Sequence, residues 1–192
     1  MTKFTISDIN PVSYEELGEF MDVLSSKIET YFRDKDEKID IIVPLLRTGG
    51  ITGGILSIRL RVLNVLPVQF KYFYNPTTIK QILSLPEILT EIPESPNILL
   101  TEGNTSSGSI AKEAAKLLKQ KYPNSKIYHA TVSKVYGGPE KLDNIEEIFY
   151  SVLTNENFKA DEKEIAELHI RKGITIFPWE NAEDELRDIN SI

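Results

Sequence analysis

The sequence ILLTEGNTSSGSIAKEAAKLL, residues 98–118, contains three kinds of segment in succession. Apolar residues predict a buried strand over 97–101, and an amphipathic helix is predicted to begin at Ser109 and to end before Pro123. Small polar residues and glycines lie between them. Small residues let successive backbone N–H groups point at one anion, and the start of a helix adds partial positive charge. The stretch therefore predicts an α/β fold with an anion site at the end of this strand.

The side chains of this loop indicate a sugar phosphate. Glu102 lies at the rim, where a carboxylate cannot bind phosphate but can accept hydrogen bonds from sugar hydroxyls. The loop lacks the Gly-Lys-Ser/Thr sequence of a P-loop. The same residues also suit an ordinary polar turn that caps the helix through Thr105 or Ser107. The hydroxyls that can donate hydrogen bonds to phosphate oxygens are those of Thr105, Ser106, Ser107 and Ser109.

The rest of the chain continues the alternation of strands and helices. Ser13, with Glu16 three residues later, predicts a capped helix that reaches Phe32. Strands that alternate with helices predict a mostly parallel sheet, in which ligands bind beyond the carboxyl ends of the strands. Residues 75–96 contain four prolines and weak periodicity, which predicts a long excursion that acts as a lid. Further strands are predicted at 39–46, 67–74, 126–134, 145–153 and 173–178.

Composition excludes several classes of function. The net charge is −7 and no cluster of Lys and Arg occurs, so a general nucleic-acid binder is not expected. The absence of cysteine excludes disulfides, thiolate metal sites and a cysteine nucleophile. His129 and His169 are not spaced with other metal ligands, and His129 is predicted to lie inside the sheet. No apolar run approaches a membrane span of about 20 residues, and the N-terminus has no signal-peptide core, so a cytoplasmic location is expected.

Residues 98–109 resemble the loop of type I phosphoribosyltransferases that binds phosphoribosyl pyrophosphate (PRPP). The segment VPLLRTGG, 43–50, resembles the pyrophosphate loop of that family, and ITIFPWE, 174–180, resembles the base-binding end of its xanthine/guanine-type members. The ordered matches run from about residue 37 to about residue 182. The resemblance implies a single domain over 1–192, with a sheet flanked by helices over about 37–135. It also implies a C-terminal hood over about 136–182, with the N-terminal helix packing nearby.

The resemblance also implies roles for individual residues. The reaction implied is transfer of ribose 5-phosphate from PRPP to a 6-oxopurine, with release of pyrophosphate and with Mg²⁺ bound together with PRPP. Glu102 and Ser106 take the catalytic positions. No side chain is assigned as a metal ligand, and Glu102 is the one candidate. The base would contact Lys134, Phe177 and Trp179. The implied PRPP-binding residues are Arg47, Thr48, Gly49, Glu102, Asn104, Thr105, Ser106, Ser107, Gly108 and Ser109. A homodimer is expected.

Two residues depart from the family pattern. Gly103 replaces the second acid of the loop, and Ser106 replaces an aspartate that handles a proton of the purine. A serine without a partner does not act as a base at neutral pH, and loss of an acid–base group typically costs about 10²–10⁴-fold in rate. Two alternatives therefore stand beside the purine enzyme. One is a non-catalytic regulatory protein that binds PRPP or a nucleotide, and the other is a pyrimidine phosphoribosyltransferase.

Overall fold

The computed structural model of the chain describes residues 4–73 and 76–190. The helices are α1 (Tyr14–Arg33), α2 (Thr48–Arg59), α3 (Ser109–Lys121), α4 (Glu162–Leu168) and α5 (Ala182–Ile189). The strands are β1 (Ile9–Pro11), β2 (Ile41–Pro44), β3 (Asn64–Val65), β4 (Gln69–Phe73), β5 (Thr78–Leu83), β6 (Asn97–Thr105), β7 (Lys126–Val135), β8 (Ile148–Thr154) and β9 (Ile174–Ile176). No helix in the described part of the chain is both long and apolar enough to cross a bilayer.

The centre of the molecule is a five-stranded sheet in the order β3-β2-β6-β7-β8. Every neighbouring pair in it is parallel. β2 is buried along its whole length, which agrees with the continuous apolar run that a strand covered on both faces requires. The predicted α/β architecture with a mostly parallel sheet is therefore confirmed.

Helices cover both faces of this sheet. On one face, buried residues of α1 and α2 such as Leu24 and Leu56 pack with Leu99 of β6 and Tyr128 of β7. On the other face, the alanines of α3 pack against neighbouring residues of the same strands. The capping box predicted at the start of α1 is present, because the Ser13 and Glu16 side chains each bond the other's backbone N–H.

The predicted strand at 67–74 is present as β4, but it lies outside the main sheet. β4 pairs antiparallel with β5 in a separate hairpin, and β5 lies within the proline-containing excursion. A single bridge between Leu45 and Val68 joins the start of this segment to the end of β2. The chain leaves the sheet there because β4 finds its hydrogen-bonding partner in the excursion. Tyr74 lies outside the described residues.

The predicted strand at 173–178 is present as β9, but it does not join the main sheet. It pairs in parallel with β1, and these two strands form a small sheet of their own. The sequence reading did not predict β1, which has only three residues. β8, which falls within the predicted hood segment, is the edge strand of the main sheet. The division into core and hood stays a prediction.

Candidate functional site

The candidate site lies at the carboxyl ends of β2 and β6, which are neighbours in the sheet. Both connecting loops are shorter than predicted. β6 continues to Thr105, which pairs with Lys134 on β7, so Glu102 lies within the strand and the loop comprises residues 106–108. α2 begins at Thr48, so the last three residues of the segment 43–50, which resembles a pyrophosphate loop, lie in the first turn of a helix. Strand pairing with the long β7 accounts for the first difference, because β7 supplies ladder partners beyond residue 101.

A cavity of about 180 Å³ opens at the start of α3. It contains Glu102, Asn104 and Thr105 of β6, the loop 106–108, and the first residues of α3. The structure thus gathers the residues predicted for the ribose and the 5-phosphate around one cavity. Tyr72 of the β4–β5 hairpin also lines it, which the sequence reading missed.

Two residues that follow β7, Gly138 and Leu142, pack closely against the 106–108 loop. Gly108 has a φ of +67°, and a Cβ there would lie 2.8 Å from the side chain of Leu142. A Cβ on Gly138 would lie 2.7 Å from the Ser106 carbonyl oxygen. Glycine at both positions lets the loop curl tightly at the helix start, where backbone N–H groups are free to face an anion.

Hydroxyls of the loop point toward solvent and are available to a ligand. Ser106 and Ser107 are exposed. The Ser107 and Ser109 hydroxyl oxygens lie 2.9 Å apart and share one hydrogen bond. Asn104 is held by its amide, which donates to Glu156 at 2.9 Å and accepts from Ser133 at 2.9 Å.

Glu102 is part of a buried polar cluster. Its Oε2 accepts a hydrogen bond from the Thr105 hydroxyl at 2.7 Å. The same hydroxyl oxygen lies 2.8 Å from His129 Nε2, and His129 is fully buried on β7, as predicted. The Thr105 hydroxyl therefore faces Glu102 and His129 rather than the open side of the cavity.

A second cavity, of about 480 Å³, is lined by residues of the predicted pyrophosphate loop and of the predicted base-binding segment. Arg47 and Thr48, predicted for pyrophosphate, line it together with Trp179, predicted for the base. Arg47 is exposed, and the peptide bond that precedes it is cis. α2 can lie this close to β6 because Gly53 meets Thr101, where a Cβ would be 2.7 Å from the Thr101 hydroxyl.

The contact between Gly103 and Thr48 lies between the two cavities. A Cβ on Gly103 would stand 3.0 Å from the Thr48 Cβ and 3.1 Å from its hydroxyl. A side chain at this position, which carries the second acid in the resembled family, would therefore require Thr48 to move by a few tenths of an ångström. Glu102 and Asn104, on either side of Gly103, face the smaller cavity.

Phe177 and Trp179 form a parallel ring stack, with centroids 4.9 Å apart and an interplanar angle of 4°. Phe177 is buried, so one face of the indole is covered by protein. Glu180 follows, and its Oε2 accepts a hydrogen bond from the Phe177 N–H at 2.8 Å. Burial raises the pKa of Glu180 to about 7. Burial also raises the pKa of Glu156, against the hydrogen bond from Asn104.

Lys134 is engaged in an ion pair with Glu140. It lines neither cavity, and its ammonium bonds Glu140 at 2.6 Å. The Lys134 side chain is 3% exposed, whereas that of Glu140 is 82% exposed. Contact between Lys134 and a base stays a prediction, and it requires Glu140 to give up this ion pair.

Among residues 4–73 and 76–190, no group of three or more His, Asp or Glu side chains is placed to hold a metal ion. A Mg²⁺ that binds with PRPP would be held mainly by phosphate oxygens and water, which suits a site with one carboxylate. A further cavity of about 450 Å³ lies between the C-terminal ends of α1 and α2. It is at the amino edge of the sheet, away from the edge where such sheets bind ligands.

The fold has close counterparts among solved structures. A purine phosphoribosyltransferase from Pyrococcus horikoshii OT3 aligns with a TM-score of 0.65 at 16% identity, over 91% of this chain and 95% of that one. The xanthine-guanine-hypoxanthine phosphoribosyltransferase of Helicobacter pylori aligns with a TM-score of 0.65 at 18% identity, over 94% and 99%. A hypothetical protein from Neisseria gonorrhoeae with bound ppGpp aligns with a TM-score of 0.59 at 15% identity, over 95% and 96%.

No protein-family model and no curated protein sequence matches the chain. The structural likeness, at identities below 20%, shows the fold. The chain has the type I phosphoribosyltransferase fold, which confirms the fold predicted from the sequence.

Proposed function

We propose that this protein transfers the ribose 5-phosphate group of PRPP to a 6-oxopurine base and releases pyrophosphate. The observation that carries the proposal is the cavity at the start of α3, where one carboxylate, three hydroxyls and a curled backbone face a common space. It occurs in a fold shared with purine phosphoribosyltransferases from two organisms.

Each part of PRPP has a matching group in this proposal. The backbone of 106–108 and the hydroxyls of Ser106, Ser107 and Ser109 bind the 5-phosphate. Glu102 accepts hydrogen bonds from the ribose hydroxyls. Arg47 and the start of α2 bind pyrophosphate, since a guanidinium donates to phosphate oxygens in pairs. The aromatic pair at Phe177 and Trp179, with Lys134 once released from Glu140, contacts the base.

The reaction breaks the bond between ribose C1′ and pyrophosphate and forms a bond from C1′ to a base nitrogen. Holding base and sugar in line supplies much of the acceleration, because a bound pair reacts as one molecule. Mg²⁺, when bound with PRPP, neutralises charge on the leaving pyrophosphate. Ser106 has no basic partner among the described residues, so it can donate a hydrogen bond but cannot remove the proton of the base. We expect slow turnover for this reason.

A regulatory protein that binds a phosphorylated nucleotide without turnover is the second candidate. The loop has one acid, since a side chain at position 103 would crowd Thr48, and Lys134 is held by Glu140. The neighbour from Neisseria gonorrhoeae has bound ppGpp, which supports this alternative. A pyrimidine enzyme, suggested by the single loop acid, is the remaining alternative.

Two measurements on one preparation decide among these candidates. Calorimetric titration with PRPP and Mg²⁺ measures binding, and pyrophosphate release is then followed with guanine, xanthine, hypoxanthine, adenine or uracil. We expect binding, and release with a 6-oxopurine. Release with uracil alone identifies a pyrimidine enzyme, and binding without release supports the regulatory protein. The proposal fails if neither PRPP nor a nucleoside monophosphate binds.

A matched pair of variants ties the result to the site. Glu102→Gln removes the carboxylate that is proposed to hold the ribose, and we expect PRPP affinity to fall by about 10-fold or more. Glu113→Gln makes the same change at an exposed position of α3 and should leave PRPP affinity unchanged. Equal affinities in both variants would contradict the role given to Glu102.

A further inference from the structure

We propose that Thr105 and His129 form a buried hydrogen-bonded pair that fixes the orientation of the Glu102 carboxylate, and that His129 is therefore a positioning residue for the sugar. The inference deepens the proposed function and rests on it for the identity of the ligand, a pentose 5-phosphate. The hydrogen bonds themselves are properties of the chain alone.

The three polar groups lie within contact of one another. The Thr105 hydroxyl oxygen is 2.7 Å from Glu102 Oε2 and 2.8 Å from His129 Nε2. His129 Nε2 is 3.4 Å from the same carboxylate oxygen. The His129 side chain is 0% exposed and that of Glu102 is 13% exposed. The strand register brings them together, because His129 on β7 pairs with Leu100, two residues before Glu102 on β6.

The number of available protons fixes the direction of each hydrogen bond. A threonine hydroxyl has one proton, and an ionised carboxylate only accepts, so Thr105 donates to Glu102. The Thr105 oxygen must then accept from His129, which places a proton on Nε2 of the imidazole. His129 Nδ1 is buried and has no partner within the described part of the chain. The neutral imidazole with hydrogen on Nε2 leaves only a lone pair unpaired there, which is better tolerated than an unpaired buried donor.

This arrangement has a direct consequence for ligand binding. With Oε2 held by Thr105, the carboxylate cannot turn freely about its side-chain bonds, and the Glu102 side chain lines the cavity in this fixed orientation. A group that is ordered before binding loses less entropy when the ligand arrives. A pentose with vicinal hydroxyls is the ligand class that gains from a carboxylate fixed in this way.

Nuclear magnetic resonance tests the network without any ligand. The chain has two histidines, so a His169→Gln variant leaves His129 as the only imidazole. We expect its ¹⁵N resonances to show the neutral form with hydrogen on Nε2. Thr105→Val, which removes the hydroxyl at similar volume, should shift the Nε2–H proton resonance. A hydrogen on Nδ1, or a resonance that does not respond to Thr105→Val, would overturn the proposal.

Calorimetry with two sugar phosphates tests the positioning role. The probes are ribose 5-phosphate and 2-deoxyribose 5-phosphate, which differ only in the hydroxyl that Glu102 can accept from. The wild-type chain should prefer ribose 5-phosphate by about 10-fold, the effect of one hydrogen bond to a charged group. His129→Leu should remove most of this preference. His129→Gln, whose side-chain amide can donate from a place near Nε2, should restore part of it.

Inorganic phosphate serves as the internal control, because its site at 106–109 does not involve His129. The affinity for inorganic phosphate should be equal in the wild-type chain, in His129→Leu and in His129→Gln. A His129→Leu variant that binds phosphate and keeps the full preference for ribose 5-phosphate would overturn the positioning role. If the wild-type chain binds none of these phosphates, the proposed function fails, whereas the resonance measurement still decides whether the network exists.

Discussion

At the scale of single residues, a close contact in the site joins Gly103 to Thr48. A Cβ on Gly103 would stand 3.0 Å from the Thr48 Cβ, a distance at which one of the two must move. We predict that Gly103→Ala lowers the free energy of unfolding by about 1–3 kcal/mol, the usual cost of overpacking. Urea denaturation followed by circular dichroism measures it.

The double variant Thr48→Gly, Gly103→Ala measures the energetic coupling between these two residues. Its loss of stability should be smaller than the sum of the two single losses, since removal of the Thr48 side chain relieves the overlap. Gly54→Ala is the matched control, because nothing lies within 4 Å of a Cβ at Gly54 in α2. That change should stabilise the helix by about 0.5–1 kcal/mol. An additive double variant would show that Thr48 is not what excludes the side chain.

The sequence alone indicated that Gly103 departs from the family pattern, but it did not indicate the cause. The cause is the packing of α2 on β6, which brings residues far apart in the chain into contact. Glu102 and the serines after it were predictable, because a strand, small residues and a helix occur in one local stretch. The contact between Glu102 and His129 was not predictable, because it depends on the register between β6 and β7.

At the scale of elements, the segment after β9 carries a buried carboxylate. Burial raises the pKa of Glu180 from its ordinary value of 4.5 to about 7. The native state therefore binds the proton more tightly than the unfolded chain does, and stability is lost as pH rises from about 4.5 to about 7. We predict that the melting temperature falls more between about pH 5 and about pH 8 in the wild type than in Glu180→Gln.

The Gln variant keeps an acceptor for the Phe177 N–H, so it removes the titration without removing the hydrogen bond. The pKa of Glu156 is raised in the same direction, and its contribution should remain in the variant. The fall of the melting temperature with rising pH is therefore expected to be smaller in Glu180→Gln than in the wild type, but not to vanish. Equal slopes in the two proteins would mean that Glu180 ionises without cost in the folded chain.

The positions of the strands were easier to predict than the strands with which they pair. The strand at 174–176 follows from its apolar, β-branched residues, but its pairing with the three-residue β1 does not. β4 has the alternating aromatic composition of a sheet strand, yet its partner β5 lies in a segment whose prolines masked its strand character. Local composition specifies that a segment is extended, whereas pairing depends on which edge is free when the chain packs.

At the scale of the whole molecule, Arg171 connects the main sheet to the small one. Its guanidinium donates to Glu16 of α1 at 2.8 Å, to Asn10 of β1 at 2.9 Å and to the Pro11 carbonyl at 2.6 Å. Its backbone bridges to Thr154 at the end of β8. We predict that Arg171→Met lowers the free energy of unfolding by about 1–2 kcal/mol, because it removes three hydrogen bonds from a charged donor while the acceptors stay accessible to water.

The only tryptophan reports on the same connection, because Trp179 follows the small sheet directly. In Arg171→Met, the fluorescence transition of Trp179 should precede the transition seen by circular dichroism, whereas the two should coincide in the wild type. Arg33→Met is the control, since the Arg33–Asp34 pair is 71% and 64% exposed and should change stability by less than about 0.5 kcal/mol. Coincident transitions in Arg171→Met would show that the small sheet does not separate from the main one, against the predicted hood.

The pairing of β1 with β9 also sets an order of events during synthesis on the ribosome. Ile9 is made 165 residues before its strand partner, Ile174 (174 − 9). The nascent chain can assemble β2, β6 and β7 while the β1 segment is still without a partner. Closing so long a loop costs conformational entropy and slows folding. We therefore expect the small sheet to form after the strands of the main sheet have paired, which makes the aromatic side of the site mature later than the side at β6.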